Sequence, residues 1–229
     1  MLIEELGGTY IKFGQALALQ PDILSLEYCN ELFDLLDKVS PFPYDQVEAR
    51  IVEELGRPPE ELFDSFESKP LASASIGQVH VAYLGGRKLA VKVQRPSVEQ
   101  DFVGDIQIML GAIQLIRRLR LKSLYWAIAP MSEFANWTRE EMDYLCEARY
   151  LDQLRTNAAD SPFERVPDIL KDLTTSRVLV CEFLEGMTLL DHLRDLEAND
   201  QAEVDKLKHA GFRADQFARN IIDNFLRDA

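Results

Sequence analysis

Ala72-Ser73-Ala74-Ser75-Ile76-Gly77-Gln78-Val79 begins the stretch of sequence that decides the fold. This stretch and the residues that follow, as far as Val93, are poor in strong helix formers and rich in serine, glycine and β-branched residues. The composition predicts strands over residues 79–84 and 88–94. Leu84-Gly85-Gly86-Arg87 predicts a hairpin turn between the two strands, because paired glycines tolerate the positive φ of such turns.

The same eight residues have the spacing of the nucleotide loop of protein kinases, G-x-G-x-x-G-x-V. Ala72 and Ala74 replace the first two glycines, whereas Gly77 and Val79 match the motif. The strand Leu89-Ala90-Val91-Lys92 matches V-A-I-K, whose lysine binds phosphates. The loop alone favours an ordinary tight hairpin. Loop and lysine together predict a phosphate site, because a buried strand rarely contains an unpaired lysine.

A phosphate-binding lysine of this type needs a carboxylate on a nearby helix. We predict a helix over residues 133–157, and it contains Glu140, Glu141, Asp143 and Glu147. At helical spacing Asp143 and Glu147 share one face, and Glu140 lies close to it. A solvated acidic face is the alternative interpretation. The intervening residues favour a partly buried helix: Met142, Tyr144, Leu145, Cys146 and Ala148.

The remaining segments alternate between helices and short strands. Helices are predicted over residues 1–40 with a break at Pro21, and over 44–56, 60–66, 101–122, 189–196 and 203–226. Two further strands are predicted over residues 166–169 and 177–182. This order, with no internal repeat, predicts an α+β fold in which helices cover an antiparallel sheet.

Composition and charge narrow the classes of function. The 229 residues are 47% hydrophobic and 28% charged, which is typical of a globular chain with a core. The net charge of −14 disfavours nucleic acid as a partner. Residues 68–130 nevertheless carry 9 basic and 3 acidic groups, net +6, which suggests a local anionic ligand such as a nucleotide or a lipid headgroup. Three scattered cysteines predict no disulfide framework.

No secretory signal is expected, because residues 1–6 are acidic and lack a long apolar run. The longest uncharged apolar-rich piece, residues 124–131, is shorter than the roughly 20 residues of a membrane span. A cytoplasmic protein, peripheral at most to a membrane, is therefore expected. Arg117, Arg118, Arg120 and Lys122, followed by leucines and aromatics, suit an anionic membrane surface. The alternative, which these residues favour, is a helix carboxyl end followed by core residues.

Four blocks of the sequence are specific in combination. They are Lys12-Phe13-Gly14-Gln15, residues 72–80, residues 90–96, and Glu141-Met142-Asp143-Tyr144 with Glu147-Ala148. Together they resemble the UbiB family of ADCK-type atypical protein-kinase-like proteins, which are linked to coenzyme Q and other isoprenoid quinones. The blocks occur in the family's order and spacing along the whole chain.

The resemblance implies a kinase-like N-lobe with its hinge at residues 68–185. A helical amino-terminal extension at residues 1–67 would lie over the nucleotide cleft, and a C-lobe would begin at residues 186–229. The family's K-x-G-Q motif in the extension and its E-x-D motif, which contacts the extension, are matched here. The matching residues are Lys12 and Gln15 for the first motif and Glu141 and Asp143 for the second.

The resemblance also implies a site for ATP or ADP. Lys92 would contact the phosphates and Glu147 would hold Lys92, with Glu141 as an alternative partner. The alanine-rich loop is associated in the family with altered nucleotide preference and suppressed protein phosphorylation. The backbone of residues 180–186 would bind adenine as the hinge between lobes. The implied nucleotide-binding residues are Ala72, Ser73, Ala74, Ser75, Ile76, Gly77, Gln78, Val79, Ala90, Lys92, Glu147, Glu182, Phe183 and Leu184.

The catalytic motifs of a kinase are not found in this sequence. None of its three histidines begins an H-x-D motif, and Asp101-Phe102-Val103-Gly104 is a chance near-match to D-F-G. We therefore expect the ATP-binding portion of a quinone-linked kinase or ATPase, with Mg²⁺ ligands and catalytic residues beyond this truncated chain. The alternatives are a non-catalytic module at a membrane surface or partner protein, and a fragment that needs a missing lobe to fold. The oligomeric state is not predicted.

Overall fold

The computed structural model describes residue 18 and residues 25–33, 40–96, 98–198 and 201–228. The chain divides into two compact units. The first contains the described residues up to Tyr150 together with Asp168–Glu182, and the second contains Leu151–Pro167 and the described residues from Phe183 onward. The boundary predicted at residues 67 and 68 therefore falls inside the first unit, whereas the one predicted at residue 185 lies close to an observed division.

The first unit contains the sheet and most of the helices. Its helices are α1 (Leu26–Phe33), α2 (Tyr44–Leu55), α3 (Pro59–Leu62), α4 (Val98–Arg118), α5 (Ile128–Glu141) and the beginning of α6 (Tyr144–Asn157). Its strands are β1 (Ser65–Phe66), β2 (Ala72–Ser73), β3 (Gly77–Leu84), β4 (Arg87–Gln94) and β5 (Val178–Glu182). Short 3-10 helices occur at Lys122–Ala127 and Lys171–Leu173.

The second unit is helical. Besides the end of α6 and a 3-10 turn at Ala158–Asp160, it contains α7 (Leu189–Glu197), α8 (Gln201–His209) and α9 (Ala214–Asp228). The Thr188 hydroxyl caps α7 by accepting a hydrogen bond from the Asp191 amide at 3.1 Å. No helix in the part of the chain that the structure describes has the length and apolar character of a membrane span.

The sheet is antiparallel, with strand order β1-β3-β4-β5 and β2 paired to β3. The predicted α+β class and both predicted central strands are confirmed. The turn between β3 and β4 has positive φ at Gly85 (57°) and Gly86 (77°), which explains the paired glycines. The register places Val79, Lys92 and Leu179 side by side across β3, β4 and β5.

One face of the sheet forms the main core. Leu89, Val91 and Val93 alternate along β4 on this face and are fully buried. They pack with side chains from the neighbouring strands and from the segment that precedes the sheet: Phe42, Val47, Ile51, Leu62, Phe63, Ala82, Val178 and Val180. The segment from Phe42 to Phe63 therefore contributes to the hydrophobic core of the sheet.

A buried polar network joins this segment to β3. The Gln78 side chain accepts a hydrogen bond from the Phe42 amide at 3.0 Å and donates one to the Phe42 carbonyl at 3.3 Å. Gln78 Nε2 and His80 Nε2 lie 2.9 Å apart, and His80 Nδ1 lies 2.8 Å from the Glu67 carbonyl oxygen. The Glu67 carbonyl oxygen only accepts and the Gln78 Nε2 only donates, so His80 donates from Nδ1 and accepts at Nε2, which is the neutral form of the ring.

Four predicted elements differ from the structure. The strand predicted over residues 166–169 is wrong, because only Ile169 forms a bridge, with Cys181. The helix predicted over 60–66 ends at Leu62, and Ser65–Phe66 joins the sheet. The helix predicted over 133–157 is two helices, α5 and α6, and that over 203–226 is α8 and α9, separated where Gly211 has a φ of 92°. The predicted helix 1–40 lies mostly outside the described residues.

Gly77 is the position where the loop before β3 approaches its neighbours most closely. A Cβ atom there would lie 2.5 Å from the Val93 carbonyl oxygen and 2.6 Å from the Tyr144 hydroxyl oxygen. The Val93 oxygen belongs to the backbone of β4, so it cannot move without disturbing the ladder. Glycine is therefore required here for close packing between the loop, β4 and the first turn of α6.

We predict that Gly77→Ala destabilises the protein by about 1–3 kcal/mol, the usual cost of overpacking. Urea denaturation measures the change. Gly104→Ala is the matched control, because a Cβ at that helical position meets nothing within 4 Å. The control should leave stability unchanged or raise it by up to about 1 kcal/mol through helix propensity. Equal midpoints for Gly77→Ala and the parent chain would contradict the close contact.

His80 should make stability depend on pH. Burial lowers the pKa of His80, and its hydrogen bond to the Glu67 backbone opposes the shift only in part. Because the folded pKa lies below the unfolded value of about 6.5, stability is fully present above that pH and is lost as pH falls through the folded pKa. The urea midpoint of the parent chain should therefore decrease when the pH is lowered from about 7.5 to about 5.5.

His80→Gln should be less stable than the parent at about pH 7.5, by about 1–3 kcal/mol, because the buried network loses a partner. Its midpoint should change less between the two pH values. His209→Gln is the control, since His209 is exposed. The urea midpoint of this variant should change with pH as much as that of the parent. If the urea midpoint of His80→Gln changed with pH as much as that of the parent, another group would be the cause of the acid sensitivity.

Candidate functional site

An ion pair between β4 and α6 is the centre of the candidate site. Lys92 Nζ lies 2.5 Å from Glu147 Oε2. The Lys92 side chain is 33% exposed and that of Glu147 is 41% exposed, so the pair is open to a ligand on one side. Of the two carboxylates considered for Lys92, the structure places Glu147 in direct contact with its ammonium group.

The Tyr144 ring supports this lysine from beneath. Lys92 Nζ lies 4.6 Å from the ring centroid, which is within the range of a cation–π contact. Tyr144 is fully buried, and burial, with a smaller effect of the Glu147 charge, raises its pKa. The hydroxyl therefore stays neutral and the ring acts as a fixed platform. Lys92 is held between an aromatic face and a carboxylate.

Hydrogen bonds at the start of α6 fix the positions of Tyr144 and Glu147. Asp143 caps the helix, because its Oδ1 accepts from the Leu145 amide at 3.0 Å. The Tyr144 amide donates to the Ser176 carbonyl at 2.9 Å. The Gln94 side chain donates to the Met142 carbonyl at 2.7 Å. These bonds break the predicted continuous helix at residues 142 and 143, and they attach α6 to the sheet.

The sheet face that carries Lys92 is opposite the main core. Residues paired across antiparallel strands share a face, so Val79 and Leu179 lie on the Lys92 side, and Ala90 faces the same way with its partner Cys181. Val79, Ala90 and Cys181 are half-buried. Burial and the Glu147 charge raise the pKa of Cys181, whereas the nearby Lys92 opposes the shift. A small, largely apolar surface therefore adjoins the ion pair.

The loop before β3 is a compact hairpin. Its strands pair Ala72 with Val79 and Ser73 with Gln78, and the Ala74 amide donates to the Gly77 carbonyl at 2.8 Å. Ala72 and Ala74 are exposed and Ser75 is half-buried. The Ser73 hydroxyl is buried, and it has no hydrogen-bond partner in the described part of the chain. Lys92 pairs in register with Val79, at the foot of this loop.

Two side chains predicted to contact nucleotide lie elsewhere. Gln78 is 1% exposed and belongs to the buried network on the core face, because side chains alternate along a strand and Val79 lies on the Lys92 face. Ile76 is buried against Val98 and Phe102 of α4. Only the backbone of these two residues remains available to a ligand at the loop.

The other predicted site residues are dispersed. Lys12 and Gln15 lie outside the described residues. Glu141 is half-buried at the end of α5, and Asp143 caps α6. Glu182 ends β5, and its amide donates to the Asp168 carbonyl at 2.8 Å. The remaining hinge residues Phe183 and Leu184 belong to the second unit.

Three side chains of the site were not predicted from sequence to contribute to it. They are Tyr144 beneath Lys92, Cys181 beside the ion pair, and Gln94 at the junction of α5 and α6. Period-two alternation from Lys92 and its strand partners could have found Cys181, but only once the register was known. Tyr144 and Gln94 act through contacts between elements far apart in sequence, so local spacing carries no signal for them.

Comparisons with known proteins agree with this architecture. The family described as the ABC1 atypical kinase-like domain matches residues 34–228. A protein of Arabidopsis thaliana, ACTIVITY OF BC1 COMPLEX KINASE 1, chloroplastic, is 38% identical over 83% of this chain and 28% of its own length. A protein of Pseudomonas paraeruginosa, "Probable protein kinase UbiB", is 35% identical over 96% of this chain and 44% of its own.

A solved structure is also similar. It is the complex of Rv3197 with erythromycin from Mycobacterium tuberculosis, with a TM-score of 0.60, 29% identity, and coverage of 84% of this chain and 49% of that one. The chain spans less than half the length of each of these three proteins. The resemblance inferred from the four sequence blocks is confirmed. The chain belongs to the ABC1 atypical kinase-like family.

Proposed function

We propose that this chain binds an adenine nucleotide, ATP or ADP, and that Lys92 contacts its phosphates. The observation that carries the proposal is the ion pair of Lys92 with Glu147 on the open face of the sheet. A lysine oriented by a helix carboxylate is the arrangement with which protein kinases hold phosphates. The carboxylate fixes the ammonium in one position, and the phosphates then meet a preoriented cation.

The surroundings of the pair support the same ligand. Val79 and Ala90 offer small apolar surfaces beside Lys92, suited to the flat face of adenine. The loop at residues 72–78 ends next to Lys92, because Val79 pairs in register with Lys92, so the backbone of this loop would lie beside the phosphates. Alanines at residues 72 and 74 make this loop stiffer than a glycine-rich one. The backbone near Glu182 would bind the adenine edge.

Magnesium has no identifiable site among these residues. In the described ranges, no group of three or more histidine, cysteine, aspartate or glutamate side chains is arranged to hold a metal ion. We therefore assign no step to Mg²⁺ and limit the roles of this chain to binding and orienting the nucleotide. The ligands of Mg²⁺ and the catalytic residues would lie in the part of the family's fold that this chain does not span.

For the whole protein we propose phosphoryl transfer or ATP hydrolysis linked to isoprenoid quinone lipid metabolism, such as that of ubiquinone or plastoquinone. The relatives named as a UbiB protein kinase and as a BC1 complex kinase support this role. The chain spans less than half of either relative. The role proposed for the whole protein is therefore carried over from the family, and it depends on nucleotide binding at Lys92.

Lys92→Ala should weaken ADP binding by at least about tenfold, because a charge-assisted contact to the phosphates is lost. Isothermal titration of the purified chain with ADP measures the change. Glu147→Gln should weaken binding less, since the ammonium remains but is no longer held in place. Lys69→Ala is the matched control and should bind ADP like the parent, because Lys69 is exposed on the loop between β1 and β2.

Adenosine, which lacks phosphates, separates the two parts of the proposed site. It should bind more weakly than ADP to the parent chain and with nearly equal affinity to the parent and to Lys92→Ala. An unaltered ADP affinity in a folded Lys92→Ala variant would contradict the phosphate role of Lys92. Failure of the parent chain to bind either ADP or ATP at millimolar concentration would contradict the nucleotide site itself.

A further inference from the structure

The connection between α4 and α5 forms an unusual exposed surface, which we call the cationic tip and define as residues 117–126. All ten of these residues are exposed. The tip comprises the last residues of α4, a tight turn and most of the 3-10 helix Lys122–Ala127, which contacts both α4 and α5. Arg120, in the turn, adopts a left-handed conformation with a φ of 53°. The whole surface belongs to the first unit.

The tip is positively charged within a strongly acidic chain. Four of its ten residues are cations, namely Arg117, Arg118, Arg120 and Lys122, and no aspartate or glutamate occurs between Asp105 and Glu133. None of these four cations forms an ion pair with the residues that the structure describes. Because the net charge of the chain is −14, this local positive field selects an anionic partner at one end of the helical pair.

The same ten residues expose large apolar side chains. Trp126 is 65% exposed, and the others are Leu119, Leu121, Leu124 and Tyr125. No residue of the 3-10 helix is buried. This outcome differs from the interpretation in which the cations end a helix and the following residues enter the core. Large apolar side chains exposed close together along one short segment are typical of a binding surface.

The combination identifies the class of partner. Leucines and a tryptophan next to arginines suit a lipid interface, where apolar side chains enter the acyl boundary and cations meet the headgroups. Nucleic acid would use the cations and would leave the leucines in water. The aromatic residues, Tyr125 and Trp126, are those enriched at the boundary between headgroups and hydrocarbon.

We propose that the cationic tip docks this protein on the surface of a membrane that contains anionic lipid. Trp126 and the neighbouring leucines enter the interface, and the four cations contact phosphate groups of the lipids. Docking involves only the α4–α5 connection, so it does not use the Lys92–Glu147 pair. The proposal therefore stands independently of nucleotide binding.

Vesicle co-sedimentation tests the proposal with the whole chain. The vesicles are phosphatidylcholine alone and phosphatidylcholine with about 30 mol% phosphatidylglycerol. The parent chain should pellet with the anionic vesicles and not with the neutral ones, and binding should weaken as salt is raised. Arg118→Gln/Lys122→Gln should lower the partition coefficient about 25-fold, from about fivefold per cation near an anionic surface.

Trp126→Ser should lower partitioning about tenfold, because its apolar side chain no longer enters the interface. Matched controls lie outside the tip. Arg57→Gln/Lys69→Gln removes two exposed cations elsewhere, and Phe163→Ser removes an aromatic that is 63% exposed. Both controls should pellet like the parent. Because the altered residues are exposed, all variants should keep the parent's thermal midpoint. If Trp126→Ser does not, Leu124→Ser takes its place as the variant that removes an exposed apolar side chain.

Three outcomes would overturn the proposal. The first is equal binding to neutral and anionic vesicles, or no binding to either. The second is a loss of binding in the controls that equals the loss in the tip variants. The third is that neither the parent chain nor Trp126→Ser binds vesicles and that Trp126→Ser differs from the parent in oligomeric state. This result would assign the tip to contact with a second copy of the chain.

Discussion

A single cation held in one position is the constraint on which the candidate site depends. Lys92 is fixed by Glu147 on one side and by the Tyr144 ring beneath. Glu147 and Tyr144 are both on α6, so the position of that helix determines whether the lysine is oriented. The backbone and side-chain bonds from Ser176 and Gln94 to the start of α6 therefore serve the site although they do not touch a ligand.

One face of the sheet forms the hydrophobic core, and the opposite face carries the candidate site. The core face buries aliphatic residues of β4 and β5 against residues 40–63, and it includes the neutral network of Gln78 and His80. The opposite face leaves Val79, Ala90 and Lys92 half-buried. Because side chains alternate along a strand, the stability of one face fixes the register that aligns the other. Gly77 completes this arrangement by allowing the loop to meet β4 and Tyr144 at close range.

The features that local sequence encodes were predicted correctly. Gly85 and Gly86 predicted the turn, and a composition rich in β-branched residues predicted the strand with Lys92. The break between α5 and α6 was missed, since residues 140–148 favour helix locally and the break is made by long-range bonds to Ser176 and Gln94. The inward side chain of Gln78 follows from alternation with Val79, whereas its pairing with Phe42 does not.

The central claim is that the Lys92 ammonium group is the phosphate contact of a nucleotide cleft. The most direct measurement is nuclear magnetic resonance of side-chain-labelled lysine in the whole chain, titrated with ADP and with adenosine. The account predicts that the Lys92 signal shifts strongly with ADP and little with adenosine, while the signals of exposed lysines such as Lys69 stay in place. A Lys92 signal that is unchanged by ADP, or that responds equally to both compounds, would contradict it.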